Sequence, residues 1–209
     1  MSACFILGAG PFYGLPVSPG PGDYIIAADG GYRHCQSAGL VPDLLLGDFD
    51  SLPDLPPAAK VRRFPVDKDD TDSMLAIKLG LDMGFRIFHL YGGTGGRPDH
   101  TLANLQGLAY LAERGAKGWL YDRDFVFTAL WNDSLDLPAR PEGVFSVFAL
   151  GETARGVTIA GGRYVLEGGE LSPFFPLGVS NHFEGRPVRI SVRDGCLLAG
   201  WELPSNKIW

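Results

Sequence analysis

Two clusters of residue types carry the chemistry this chain could perform. The run Asp67-Lys68-Asp69-Asp70-Thr71-Asp72 packs four carboxylates and a lysine into six positions. The run Gly92-Gly93-Thr94-Gly95-Gly96 is a bare-backbone turn followed at once by Arg97, Pro98 and Asp99. Two shorter acidic motifs precede them, Asp29-Gly30-Gly31 and Asp48-Phe49-Asp50. Carboxylates hold hard divalent cations, whereas exposed amides and a guanidinium hold phosphate oxygens. The combination points to a polyphosphate ester carried with Mg²⁺. Asp48 and Asp50, two apart in extended chain, face the same side and repel unless a cation or a proton lies between them. The glycine run is not a Walker A loop, because no Gly-Lys-Ser/Thr follows it, and it does not match G-x-G-x-x-G. Pro98 at the first helical turn and Asp99 beside it make it a better anion site than glycines alone.

Each motif alone also fits a plain role, as a turn, a helix cap or a solvated acidic loop. Their placement argues for more. Ala3 to Leu7, Tyr24 to Ala28 and Leu44 to Leu46 are short, uniformly apolar runs, the signature of parallel strands covered on both faces. Asp29, the Asp48/Asp50 pair and the glycine loop after Arg86 to Tyr91 each come directly behind such a strand. In open α/β sheets, ligands sit outside the carboxyl ends of the strands. Between these runs, helices are expected over Tyr32 to Ala38 and Asp72 to Met83. The latter is capped by Thr71 or Asp70 and stopped by Gly84. A further helix follows Arg97, with Leu102, Leu105, Leu108 and Ala112 on its apolar face. After about Leu137 helical periodicity gives way to short alternating runs between glycines. The expected architecture is α/β: a doubly wound parallel-sheet domain over 1–138, then a smaller antiparallel β-sandwich or barrel over 139–209.

The bulk properties remove other classes. At 209 residues and net charge −6, the chain shows no lysine/arginine run or basic face, which argues against nucleic acid as the main partner. Three widely spaced cysteines without a CxxC pair read as buried free thiols in a reducing compartment. No apolar run approaches a membrane span, and none reads as a signal peptide, so a cytoplasmic location is expected. The four histidines have no metal-ligand spacing, and His100 alone lies near the proposed site.

Taken in order, A-D-G-G (Ala28 to Gly31), G-D-F-D-S (Gly47 to Ser51), D-K-D-D-T-D (Asp67 to Asp72) and G-G-T-G-G-R-P-D-H-T-L-A-N-L (Gly92 to Leu105) resemble the successive signatures of the thiamine pyrophosphokinases. L-G-V-S-N (Leu177 to Asn181) is similar to that family's late Ser-Asn motif, with His182 standing where bacterial members usually carry Glu. The resemblance implies Mg²⁺-dependent transfer of a pyrophosphoryl group from ATP to the hydroxyethyl oxygen of thiamine, giving thiamine diphosphate and AMP. By the same resemblance Asp48, Asp50 and Asp72 hold Mg²⁺, supported by Asp29. Gly93, Thr94, Gly95, Gly96 and Arg97 cradle the ATP phosphates, with Lys68 a second cation and Asp69 beside it. Asp99 or Asp72 orients or deprotonates the hydroxyl. Ser180 and Asn181 contact thiamine, and a homodimer places thiamine where two subunits meet. Two alternatives stand: a pyrophosphokinase for another alcohol, such as a hydroxymethylpterin, and a non-catalytic thiamine or nucleotide sensor.

Overall fold

Uniform apolarity builds the first strands. β1 (Cys4–Leu7), β2 (Tyr24–Ala28) and β3 (Leu44–Gly47) are buried over nearly their whole length, as strands covered on both faces must be. The computed structural model describes residues 2–47, 60–63 and 70–204, with the backbone alone for 60–63. β4 (Lys60–Arg63), β5 (Ile87–Tyr91) and β6 (Lys117–Tyr121) complete the set. Within this part of the chain the order is β6-β5-β1-β2-β3-β4, all parallel. Three helices punctuate it: α1 (Gly31–Ser37), α2 (Asp72–Asp82) and α3 (Pro98–Glu113). β2, β3 and β4 extend one side of β1 while β5 and β6 extend the other. The strand order therefore reverses between β1 and β5, the switch point at which such sheets open a crevice.

Thr71 caps α2: its Oγ1 accepts the Met74 amide at 3.2 Å. Asp70, the other expected cap, is taken by Lys78 Nζ at 2.7 Å. Gly80 lets α2 lie close on the sheet, since a Cβ there would stand 3.1 Å from Cys4 Sγ and 2.5 Å from Phe88 Cε1. The apolar face of α3 differs from expectation. Leu108 is buried as expected, but Leu102 is exposed, and Asn104, Gly107 and Leu111 turn inward with Leu108. An amide and a glycine displace a leucine there because Asn104 bonds a loop carbonyl and Gly107 admits Ile77.

An aromatic layer covers one face of β1, β5 and β6. Phe5, His89 and Trp119 stack with centroids 4.7 and 5.3 Å apart, and Tyr91 stacks on Tyr121 at 4.6 Å. His89 Nδ1 lies 3.0 Å from the Tyr121 hydroxyl. Burial pushes the His89 pKa down to about 4. The unfolded chain therefore binds a proton that the folded one refuses below an ordinary histidine's pKa of about 6.5. Stability from this group is full above that pH and falls as pH drops toward 4, by up to about 1.4 kcal/mol per unit. Urea unfolding of wild type and His89→Phe between pH 4.5 and 6.5 should show a shallower slope in the variant. Equal slopes would remove His89 from the account.

The rest of the chain is antiparallel. β7 (Phe125–Trp131), β8 (Ser134–Leu137), β9 (Val144–Ala149), β10 (Ala154–Ala160), β11 (Leu166–Leu171), β12 (Asn181–His182), β13 (Val188–Ser191) and β14 (Cys196–Glu202) form the runs β12-β9-β14-β7 and β11-β10-β13-β8. β9 alternates buried and half-buried residues, as a strand with one covered face does. Glycines carry the irregular pairing of β10 with β11, where register shifts flank Val157. Two compact units result. Among the described residues one comprises those to Gly107 with Ala116–Arg123, the other Leu108–Gly115 with those from Asp124 to 204. The parallel α/β part and the antiparallel β part expected from sequence are both present.

Candidate functional site

The loops behind β1 and β5 flank the switch point, and their backbones touch. Gly10 N donates to Gly92 O at 2.8 Å and Gly8 N to Tyr91 O at 2.8 Å. A Cβ on Gly10 would reach 2.6 Å from Gly92 O, so only glycine allows this approach. Over this contact opens a cavity of about 340 Å³. Its wall includes Gly10, Gly93, Thr94, Gly96, Arg97 and His100, with Ser73 of α2 completing one side.

Of the sequence-derived phosphate residues, Gly93, Thr94, Gly96 and Arg97 thus come together on one cavity. Gly95 is in the same loop with φ 73, its backbone against the Tyr13 hydroxyl. The Thr94 hydroxyl is buried and donates to Asp122 Oδ1 at 2.7 Å, so its side chain is committed to the protein. Arg97 is held by Asp99 in a two-point pair, with Nη2–Oδ2 at 2.6 Å and Nε–Oδ1 at 3.2 Å. That hydrogen-bonded pair raises the Arg97 pKa and lowers that of Asp99. Both side chains are mostly in solvent, 73% and 63% exposed, where such a pair is weak and an incoming anion can take the guanidinium.

Asp29 directly follows β2 at φ 49, a left-handed conformation that aspartate tolerates better than most residues. Its Oδ1 is buried with no hydrogen-bond partner among the described residues. Gly30 beside it packs on Ala9 of the cavity wall, a Cβ there standing 3.1 Å from that of Ala9. Asp72 is the first residue of α2, next to Ser73. Asp48, Asp50, Asp67, Lys68 and Asp69 lie outside the described residues. Among the described residues no three His, Cys, Asp or Glu side chains form a metal-sized cluster. The donors that are seen still fit a cation, since an orphaned buried carboxylate oxygen wants a positive neighbour.

Ser180 and Asn181 belong to the second unit. Ser180 is exposed at φ 59. The amide of Asn181 is spent on the chain itself: Oδ1 accepts from Tyr164 N at 3.0 Å, and Nδ2 donates to Tyr164 O at 2.6 Å. Sequence reasoning passed over the Gly8-Ala9-Gly10 turn, Ser73, Thr101 and Asn104 as site residues. The first was detectable, because it too directly follows an apolar strand. Asn104 Nδ2 donates to Gly93 O at 2.8 Å and lines the cavity.

A glycine loop, an arginine and a cavity lie together at the switch point of a parallel α/β sheet, the class of protein that the fold and this site define. Residues 21–120 match the family described as "Thiamin pyrophosphokinase, catalytic domain", and residues 134–197 match "Thiamin pyrophosphokinase, vitamin B1 binding domain". The chain belongs to the thiamin pyrophosphokinase family. It is 28% identical over 182 residues to the thiamine pyrophosphokinase of Bacillus subtilis (strain 168), covering 83% of this chain and 84% of that protein. The solved structure of a thiamine pyrophosphokinase from Bacillus subtilis superposes with a TM-score of 0.87 at 25% identity, over 96% of this chain and 99% of that one. One from Geobacillus thermodenitrificans does so with a TM-score of 0.84 at 26% identity, over 98% and 99%.

Proposed function

We propose that this chain is a thiamine diphosphokinase, moving the terminal pyrophosphoryl group of ATP to the hydroxyethyl oxygen of thiamine. The observation that carries the reading is the cavity at the switch point, walled by the glycine loop and Arg97, in a chain of this family. The new bond joins the thiamine oxygen to the β-phosphorus, the bond from that phosphorus to the α-phosphate oxygen breaks, and AMP leaves. The chemistry needs positioning and charge neutralisation rather than a covalent enzyme intermediate. Main-chain groups of Gly93–Gly96 and the Arg97 guanidinium bind the triphosphate. Asp48, Asp50 and Asp72 would hold Mg²⁺, supported by Asp29, with Lys68 and Asp69 nearby in sequence. When bound, that ion screens the triphosphate and stabilises charge that builds during transfer. As Arg97 turns to phosphate it releases Asp99, whose carboxylate becomes more basic and can accept the hydroxyl proton.

Thiamine recognition falls to residues 139–209 and nucleotide and magnesium binding to 1–138. Asn181 pins the Tyr164 backbone, and its neighbour Ser180 is exposed. A homodimer is supported by the neighbouring run of exposed apolar side chains, Phe174 (94% exposed), Phe175, Leu177 and Val179, which invites a partner face. A cytoplasmic location rests on the three unpaired thiols. The test is incubation with ATP, Mg²⁺, thiamine and a hydroxymethylpterin together, followed by mass analysis. Thiamine diphosphate and AMP should form in equal amounts. A pterin diphosphate, or ADP in place of AMP, would overturn the assignment.

A further inference from the structure

We propose that Asp122 is a positioning residue for the phosphate cradle, acting through Thr94. This rests on the reading that the glycine loop grips a triphosphate. Successive loop residues are held by different parts of the chain. Gly92, at φ 64, lies on the Gly8–Gly10 backbone; Gly93 O accepts from Asn104; Thr94 Oγ1 donates to Asp122; and Gly95 rests on Tyr13. Such a loop is preorganised, so its main chain need not reorder when an anion arrives.

The Thr94–Asp122 contact differs in kind from the others. At 2.7 Å it joins a carboxylate to the hydroxyl of a residue only 3% exposed, and charge-assisted bonds of this sort are the strong ones. Removing the carboxylate would strand that hydroxyl in the interior, and the loop would have to shift to rehydrate it. Adjacent parallel strands set the geometry. Asp122 directly follows β6 as Gly92 directly follows β5, and the preceding Tyr121 and Tyr91 stack with an interplanar angle of 5°. The acceptor is thereby fixed to the strand that neighbours the one delivering the loop. Asp122 is absent from the cavity wall, so its influence on a ligand runs through Thr94.

The test compares Thr94→Val, Asp122→Ala and their double variant with Thr94→Ser. Steady-state constants for ATP and thiamine would be measured, with amide hydrogen exchange across residues 92–97. Thr94→Val and Asp122→Ala should each raise KM for ATP by about tenfold while KM for thiamine holds. The double variant should be no worse than either single one, because both remove the same contact. Thr94→Ser should keep the ATP value of wild type, and exchange in the loop should quicken in Thr94→Val relative to β5. Additive effects, an equal rise in KM for thiamine, or unaltered loop exchange would each overturn the proposal. Should Asp122→Ala not fold, the near-isosteric Thr94→Val against Thr94→Ser decides. Failure of wild type to form AMP would instead strike the activity, leaving loop exchange to judge the clamp.

Discussion

Asp29→Asn should make the metal-free protein more stable and nearly inactive. The two opposite signs come from one atom. Asp29 Oδ1 is buried without a partner among the described residues, so none of these residues offsets the carboxylate's charge before a cation arrives. Asparagine keeps the shape and tolerates the left-handed backbone at φ 49, which alanine would tolerate less well. Relief of the charge should add about 1 kcal/mol, or roughly 2–4 °C in melting temperature for a chain of this size. Turnover should fall by about two orders of magnitude, because a carboxylate that supports the cation is lost from a phosphoryl-transfer site. Mg²⁺ added with ATP should raise the melting temperature of wild type and leave the variant nearly unmoved. Asp72→Asn, Asp48→Asn and Asp50→Asn should share the loss of turnover. A variant at position 29 that kept both its rate and its Mg²⁺ response would end the cation assignment there.

Gly92→Ala should be among the most damaging single methyls beside the first unit's cavity. At φ 64 the backbone already disfavours an L side chain, and a Cβ would collide with the Gly8 carbonyl oxygen and sit 3.2 Å from that of Gly10. Neither obstacle is a side chain that can swing away. Overpacking together with the left-handed cost comes to about 3 kcal/mol, or roughly 6–12 °C in melting temperature. Gly84→Ala is the matched control: its φ is 92, yet nothing lies within 4 Å of the added Cβ. It should cost only the backbone term, about 1 kcal/mol. If the two variants melted alike, close packing of the loops behind β1 and β5 would not be what requires glycine at position 92.

Much of this was legible in residue types, and the limits have physical causes. β1, β2 and β3 declare themselves because strands buried on both faces must be apolar throughout. β4 does not, since Lys60-Val61-Arg62-Arg63 becomes a strand by pairing with β3, a long-range fact. β11 hides likewise, its Gly168-Gly169 reading as a turn while β10 supplies the ladder. In α3 the leucines mislead: Asn104 and Gly107 face inward for reasons set by a loop and by Ile77, neither visible in periodicity. For the site, the glycine loop and Arg97 could be found because bare amides and a guanidinium are themselves the chemistry. Asp122 could not. It lies in no motif, and only the juxtaposition of β5 and β6 gives it Thr94 to hold.

The three thiols have a practical corollary. Cys4 and Cys35 lie in one unit and Cys196 in the other, all buried and free. Burial pushes their pKa values up to about 12, 12 and 11. The reactive thiolate is thus both scarce and shielded in the native protein. An alkylating reagent will therefore modify each cysteine only when its surroundings open. Mass spectrometry of the labelled peptides then gives separate clocks for breathing in the two halves, with no engineered probe.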